Sequence, residues 1–258
     1  MASLHTYTRA FKLPDGRWSV RHGFWLDERA ASYKERGYPC VYVIDGVIRS
    51  ITPTTVAVGR RVPALVLEVI DLLDRKGCPL ASDHARWVRK VARIAVERGY
   101  GWSYVPFRKH ARSKRKDRQY KDAVAWIGLD RFTTGSIESQ TDFLAALHEI
   151  GHLVLGEYTP LPIVLQVEAD AWYFAFRHAG EKISQRSYAE VLVCYRSYLR
   201  YYRRQNRRRA SGRWPVPQEA RHFVALYRDQ ELRPFRCKIT DLANASTHKP
   251  FPHYYAAA

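Results

Sequence analysis

The stretch Ser139–Glu157 reads SQTDFLAALHEIGHLVLGE, and the rest of the chain is interpreted from it. Leu144, Leu147, Ile150, Leu153, Val154 and Leu155 give it the apolar side of a core helix. Ser139 and Asp142 stand where a capping box needs them, with Asp in place of the usual Glu, so a helix over Ser139–Leu155 is expected. Within it lies His148-Glu149-Ile150-Gly151-His152, an HExxH. Positions i and i+4 share one helix face, so both imidazoles can reach one ion. Glu149 is one residue on, about 100° round the helix. From there it can flank an ion without ligating it and take a proton from water.

A catalytic zinc takes a third protein ligand and keeps one position open. Downstream candidates are Glu157, Glu168, Asp170 and His178. On a helical wheel of Ile163–Arg177, Val164, Leu165, Ala171, Trp172 and Ala175 fall within ~60° of Glu168. Gln166, Asp170, Tyr173 and Arg177 fall ~140–200° away, on the polar stripe. Glu168 is thus a lone carboxylate at the centre of an apolar face, where metal coordination is one of few remedies for its burial. A salt bridge to an arginine is the competing explanation. Glu157 could turn back from the helix end, and His178 is a reserve. The metzincin spacing would put the third ligand at Tyr158, which argues against that pattern. Nitrogen and oxygen ligands without cysteine suit a catalytic rather than a structural zinc.

The segment LHEIGHLVLGE, followed by the V-E-A-D-A-W-Y-F-A run of Val167–Ala175, resembles the ImmA/IrrE metallopeptidases of mobile elements and the bacterial DNA-damage response. The resemblance covers about residues 120–180. It implies Zn²⁺ held by His148, His152 and Glu168, with Glu149 as general base. It also implies a preceding strand along which substrate lies, and Ala123–Leu129 (AVAWIGL) is in the right place. An oxyanion stabiliser is expected in such chemistry. Tyr158, His178 and, on the wrong stripe, Tyr173 are candidates by position.

Around this centre, Thr6–Leu13 and Arg17–Trp25 flank the turn signal Pro14-Asp15-Gly16 and read as one hairpin. Tyr38–Ile44 and Val47–Thr52 flank Asp45-Gly46, a type I′ signal, and read as a second. Asp27–Arg36 is a short polar helix candidate. Pro63–Arg75 and Ser82–Arg98 read as helices that stop at Gly77 and Gly99, the second capped by Ser82. Tyr100–Phe107 is strand-like, Arg108–Lys121 a basic loop and Asp130–Glu138 a loop. Ile163–His178 and the long Ser184–Arg209 are helices, and Gln218–Arg228 is a last candidate. The expected architecture is α+β. It has an N-terminal β-hairpin region (1–60), a zincin-like metallopeptidase core (61–183), and a basic helix with a C-terminal tail (184–258).

Charge is concentrated. Of a net +18, Ser103–Lys121 holds eight basic residues against one acid, and Arg186–Arg213 nine against one. Such patches are the footprint of a polyanion partner. Arg108, Lys109, Arg112, Lys114, Arg115 and Lys116 form the first contact set. Arg196, Arg200, Arg203, Arg204, Arg207 and Arg208 form the second, interleaved with Tyr195, Tyr198, Tyr201 and Tyr202, which could stack on unpaired bases. No apolar run approaches the roughly 18 residues of a membrane span. Met1–Gly16 has no apolar leader segment. The four cysteines, at 40, 78, 194 and 237, form no CxxC, and reduced thiols in a cytoplasm are the simple expectation. Two functions fit: a zinc endopeptidase cutting a repressor or other DNA-bound protein in the cytoplasm or nucleoid, or a phage or plasmid nucleic-acid-binding protein that uses the fold as a scaffold.

Overall fold

The computed structural model describes residues 5–13, 15–25, 39–52, 59–104, 123–155 and 164–207. The expected helices at 27–36 and 218–228, and the basic loop at 108–121, lie outside these residues. What is described is α+β, with two small sheets and five α-helices. None of these helices is long and apolar enough to cross a membrane. The chain divides into two compact units, Met1–Ala146 and Leu147–Ala258, with the division inside the HExxH helix.

In the first unit β1 (His5–Lys12) pairs antiparallel with β2 (Trp18–Trp25). β3 (Cys40–Ile44) pairs antiparallel with β4 (Val47–Thr52), and β1 joins β3 to give the order β2-β1-β3-β4. Both expected hairpins form. Asp45 and Gly46 take φ +50° and +74°, the left-handed pair that a type I′ turn requires. Gly46 is needed for a second reason: a Cβ there would sit 2.7 Å from the Ala81 nitrogen, which donates to the Gly46 carbonyl.

Two helices follow, α1 (Val62–Arg75) and α2 (Ser82–Arg98). Val62, Val66, Val69, Ile70 and Leu73 of α1 are buried, as are Trp87, Val88, Val91, Ala92 and Ala95 of α2, so each helix buries one apolar stripe. Gly99 ends α2 in the left-handed conformation expected of it. Ser82 is the first helical residue rather than the cap; Ala81 holds that place, with no side-chain bond.

The second sheet departs from expectation. Its strands are β5 (Gly101–Tyr104), β6 (Val124–Trp126) and β7 (Arg131–Thr134), in the order β5-β7-β6. β5 runs parallel to β7 and β6 antiparallel. The presumed loop Asp130–Glu138 therefore contains the central strand. The apolar run Ala123–Leu129 supplies only the short edge strand β6, and Ile127–Leu129 turns into a 3-10 helix. Val124 and Trp126 are exposed, the Trp126 indole N–H reaching the Thr133 hydroxyl. The buried aromatics come from β5 and β7, where Trp102 stacks on Phe132 at 5.5 Å.

Helix α3 (Gln140–Leu155) follows. The capping box is present: the Ser139 N–H and hydroxyl donate to Asp142 Oδ2 at 2.9 and 2.8 Å, and the Asp142 N–H donates back to Ser139 Oγ at 3.2 Å. Just before it, Ile137 is tied to β4. His84 Nε2 accepts the Ile48 N–H at 2.9 Å, and Nδ1 donates to the Ile137 carbonyl at 2.5 Å. The Tyr104 hydroxyl completes the square, donating to the Ile48 carbonyl at 2.6 Å and accepting the Ile137 N–H at 3.2 Å. Four buried backbone groups on two distant segments are thus satisfied by two side chains. The second unit contains the end of α3 with α4 (Val164–Ala179) and α5 (Gln185–Arg207), α4 and α5 packing on each other.

The His84 network works only with a neutral ring, because protonated Nε2 would face an N–H. Burial, the largest influence on it, accordingly pulls the His84 pKa down. Its stabilisation is complete above the ordinary imidazole value of 6.5 and is lost as pH falls below it. Urea unfolding between pH 7.5 and 5 should show this loss, and the share due to His84 should vanish in His84→Gln. Tyr104→Phe should cost about 1–3 kcal/mol at pH 7.5, since it leaves buried backbone groups unpaired.

Candidate metal centre

Helix α3 continues through His148 and His152, one turn apart on the same face. Helix α4 crosses it closely at a glycine. A Cβ on Gly151 would lie 3.0 Å from both Cα and O of Ala171 and 3.2 Å from Cβ of Phe174. The small pair Gly151 and Ala171 lets the two backbones approach, and Glu168, one turn before Ala171, is thereby brought to the histidines. The HExxH alone assigns no role to its third residue pair; here Gly151 supplies the room.

Three atoms converge. His148 Nε2 and His152 Nε2 are 3.0 Å apart, and Glu168 Oε2 lies 3.2 Å from the first and 3.8 Å from the second. Ligands about 2.0–2.1 Å from a tetrahedral zinc stand about 3.3 Å from one another. The observed spacings bracket that value. His148 and Glu168 are 4% and 6% exposed. His148 Nδ1 and Glu168 Oε2 are buried without a hydrogen bond among the described residues. The donor set and its spacing therefore fit a small divalent cation. The imidazole of His148 lies against the Trp172 indole, ring centroids 4.0 Å apart, which fixes its plane.

Electrostatics point the same way. Burial drives the His148 pKa down to about 3. Burial, then the neighbouring His148, drives His152 down to about 4. Both rings are held neutral, the form that binds metal. Burial pushes Glu168 up to about 7, against the opposing influences of His152 and Tyr198. A carboxyl so placed is ionised at little cost once a cation adjoins it.

The remaining expected residues separate into three groups. Glu149 follows His148 on α3 and is half-buried, beside the cluster rather than in it. Glu157 and Tyr158 lie outside the described residues. His178, ten residues beyond Glu168, is ~15 Å further along α4. Its Nδ1 donates to the Phe174 carbonyl at 3.0 Å and its ring stacks on Phe174 at 4.0 Å, which places it away from the three converging atoms.

Helix α5 corrects the reading of its tyrosines. Tyr188, Val191, Leu192, Tyr195 and Leu199 form its buried stripe, and Tyr195 is fully buried, so it cannot stack on a base. Phe176 and Tyr188 join α4 to α5 at 5.7 Å between ring centroids. Tyr198, on the margin of the stripe, has its phenol pKa pushed up, by burial first and then by the charges of Glu168 and Glu149. Cys194, one turn earlier, also senses Glu168; burial first, then the Glu168 and Glu190 charges, push its thiol up to about 11. The spacing Tyr188–Val191–Tyr195 is the i, i+3, i+7 signature of a packed face, whereas Tyr198 at its margin stays exposed. Arg196, Arg200, Arg203, Arg204 and Arg207 are exposed along another flank of α5. On the wheel they lie within ~100° of one another. Arg208 and the set from Arg108 to Lys116 lie outside the described residues.

Comparison with protein-family models, with curated proteins and with solved structures finds no match to this chain.

If the Gly151–Ala171 approach positions Glu168, then Gly151→Ala should separate the helices. The expected result is a loss of about 1–3 kcal/mol of stability, typical of overpacking, together with weaker zinc binding in a chelator competition. Unchanged zinc affinity would remove Gly151 from the account of the site.

Proposed function

We infer that the chain is a zinc-dependent endopeptidase that hydrolyses a peptide bond in a protein partner, in the cytoplasm and close to nucleic acid. The observation that carries this reading is the convergence of two neutral imidazoles and one buried carboxylate at tetrahedral ligand spacing, with Glu149 beside them. The likeness of residues 120–180 to the ImmA/IrrE metallopeptidases supports it from the sequence side. On this reading residues 61–183 are a zincin-like core.

His148, His152 and Glu168 would hold the ion. Zn²⁺ bound there supplies Lewis acidity toward the scissile carbonyl and acidifies a water. Glu149 would take a proton from a water whose oxygen attacks the carbonyl carbon. It then delivers the proton to the departing amine, so the peptide bond breaks with one water consumed. Trp172 holds the plane of the His148 ring, whose Nε2 lies 3.2 Å from Glu168 Oε2.

The exposed arginine row of α5 supports the second half of the reading, since guanidinium groups on one helix flank can follow a phosphate backbone. It equally favours the alternative, a phage or plasmid nucleic-acid-binding protein that uses a zincin fold as scaffold with little or no proteolysis. Glu149 separates the two, because a scaffold has no use for a general base.

Elemental analysis should find one zinc per chain in protein purified without chelators. Glu168→Ala should lose zinc affinity by more than the roughly 10–100-fold that removal of an outer-shell partner costs. Glu149→Gln should keep the zinc and lose cleavage by on the order of a hundredfold or more. Retained cleavage in Glu149→Gln would refute the mechanism. Neutralising Arg203, Arg204, Arg207 and Arg208 together should weaken DNA binding and flatten its salt dependence by roughly one unit of slope per lost contact, with zinc content unchanged. Unchanged DNA affinity would leave the arginine row without a nucleic-acid role.

A further inference from the structure

One face of the second sheet carries an exposed indole among cations. The register puts Val124 and Trp126 of β6 opposite Thr133 and Arg131 of β7, with Ser103 and Gly101 of β5 beyond them, all on the same side. The other side carries Trp102, Tyr104 and Phe132 and belongs to the core. At β5 the outer side is covered. Gly101 and Ser103 are buried there, and a Cβ on Gly101 would stand 3.2 Å from the Gly59 carbonyl oxygen and the Arg60 nitrogen. At β6 it is open: Trp126 is 47% exposed and Val124 39%. The indole is nevertheless held in place. Its N–H donates to the Thr133 hydroxyl at 3.1 Å, and the Arg131 guanidinium carbon lies 5.9 Å from its ring centroid. A large ring fixed in solvent is a surface on which another ring can stack.

The charge around it has one sign. Arg60 and Arg61 are exposed, Arg131 is half-buried, and none of the three makes an ion pair with a described residue. The chain that joins β5 to β6 adds to them, because Ser103–Lys121 holds eight basic residues against one acid. With β5 parallel and β6 antiparallel to β7, that chain leaves and re-enters the sheet at the same end. Cations draw phosphates, and an exposed indole takes the flat face of a base. A duplex keeps its base faces stacked inside and has nothing to offer Trp126. An acidic peptide would answer the charge but not the ring. A strand with unpaired bases answers both.

We propose that Trp126 stacks on an unpaired base of a single-stranded nucleic acid whose phosphates are drawn by the cations around the second sheet. The assignment rests on the nucleic-acid half of the reading above and adds to it a site remote in sequence from the arginine row of α5. The test is fluorescence anisotropy of labelled oligothymidylate, oligouridylate and a DNA duplex, each about a dozen nucleotides long, with full-length protein at one salt concentration. Trp126→Ala should weaken both single strands about tenfold or more and leave the duplex within about twofold. Trp126→Phe, which keeps a ring, should restore most of that loss. The tighter of the two single strands in the wild type tells DNA from RNA as the source. Unchanged single-strand affinity in Trp126→Ala would overturn the assignment. An equal loss for the duplex would overturn it too, making Trp126 a support for the sheet. Binding of the duplex alone by the wild type would remove the assignment and leave the nucleic-acid reading standing, whereas binding of none of the three would remove both. Should the variants not fold, photocrosslinking decides: oligothymidylate with one base replaced by iodouracil must attach to Trp126 of the wild type, and crosslinks confined to other residues refute the contact.

Discussion

A carboxylate with 6% exposure set against two imidazoles that burial keeps neutral is the constraint around which the second unit is organised. Such a group has three ways to lower its cost: take a proton, find donors, or adjoin a cation. The upward pull on Glu168 represents the first, and for the second its Oε2 has no donor among the described residues. Neither accounts for two ring nitrogens aimed at the same point. Repulsion among lone pairs at 3.0 and 3.2 Å is relieved by a shared proton or by a positive ion, and only the ion satisfies all three groups at once.

The surrounding packing follows from holding that point in place. Gly151 and Ala171 let α3 and α4 meet at backbone distance, and Trp172 covers the His148 ring. From Trp172 the contacts pass to Phe176 at 6.4 Å and on to Tyr188 of α5 at 5.7 Å. This apolar wall has an electrostatic consequence, because charges facing it are poorly screened and the attraction for a cation is correspondingly strong. In the first unit the equivalent role of fixing distant segments falls to His84 and Tyr104, whose four hydrogen bonds tie Ile48 to Ile137 just ahead of α3.

What is legible in the sequence is what local geometry determines. The i, i+4 histidines, the Ser139–Asp142 cap and the Asp45-Gly46 turn depend on neighbours within four residues, and all three appear as read. Glu168 is legible because a lone carboxylate on an apolar wheel face is anomalous without any knowledge of partners. Strand β7 is not. Arg131-Phe132-Thr133-Thr134 has no apolar run, and its burial comes from parallel pairing with β5, thirty residues earlier in register. The more apolar Ala123–Leu129 misleads for the converse reason: it lies at a sheet edge, where Val124 and Trp126 stay exposed. Tyr195 is misread as one of a basic-aromatic series because its direction is set by how α5 packs on α4, a tertiary fact its flanking arginines conceal.

That misreading has a physical lesson for α5 as a whole. Its 23 residues mix tyrosine and arginine so evenly that composition suggests one surface with one role. The helical period sorts them into two. Tyr188 and Tyr195 serve the core, Tyr198 stays exposed at its margin, and Arg196, Arg200, Arg203 and Arg207 remain in solvent. An arginine row needs only an exposed flank, whereas a packed stripe needs the helix fixed in rotation to within a fraction of a turn. The buried tyrosines provide that fixation. The same side chains that cannot stack on a nucleic acid are therefore the ones that fix α5 on α4 and so turn its line of positive charge to the outside.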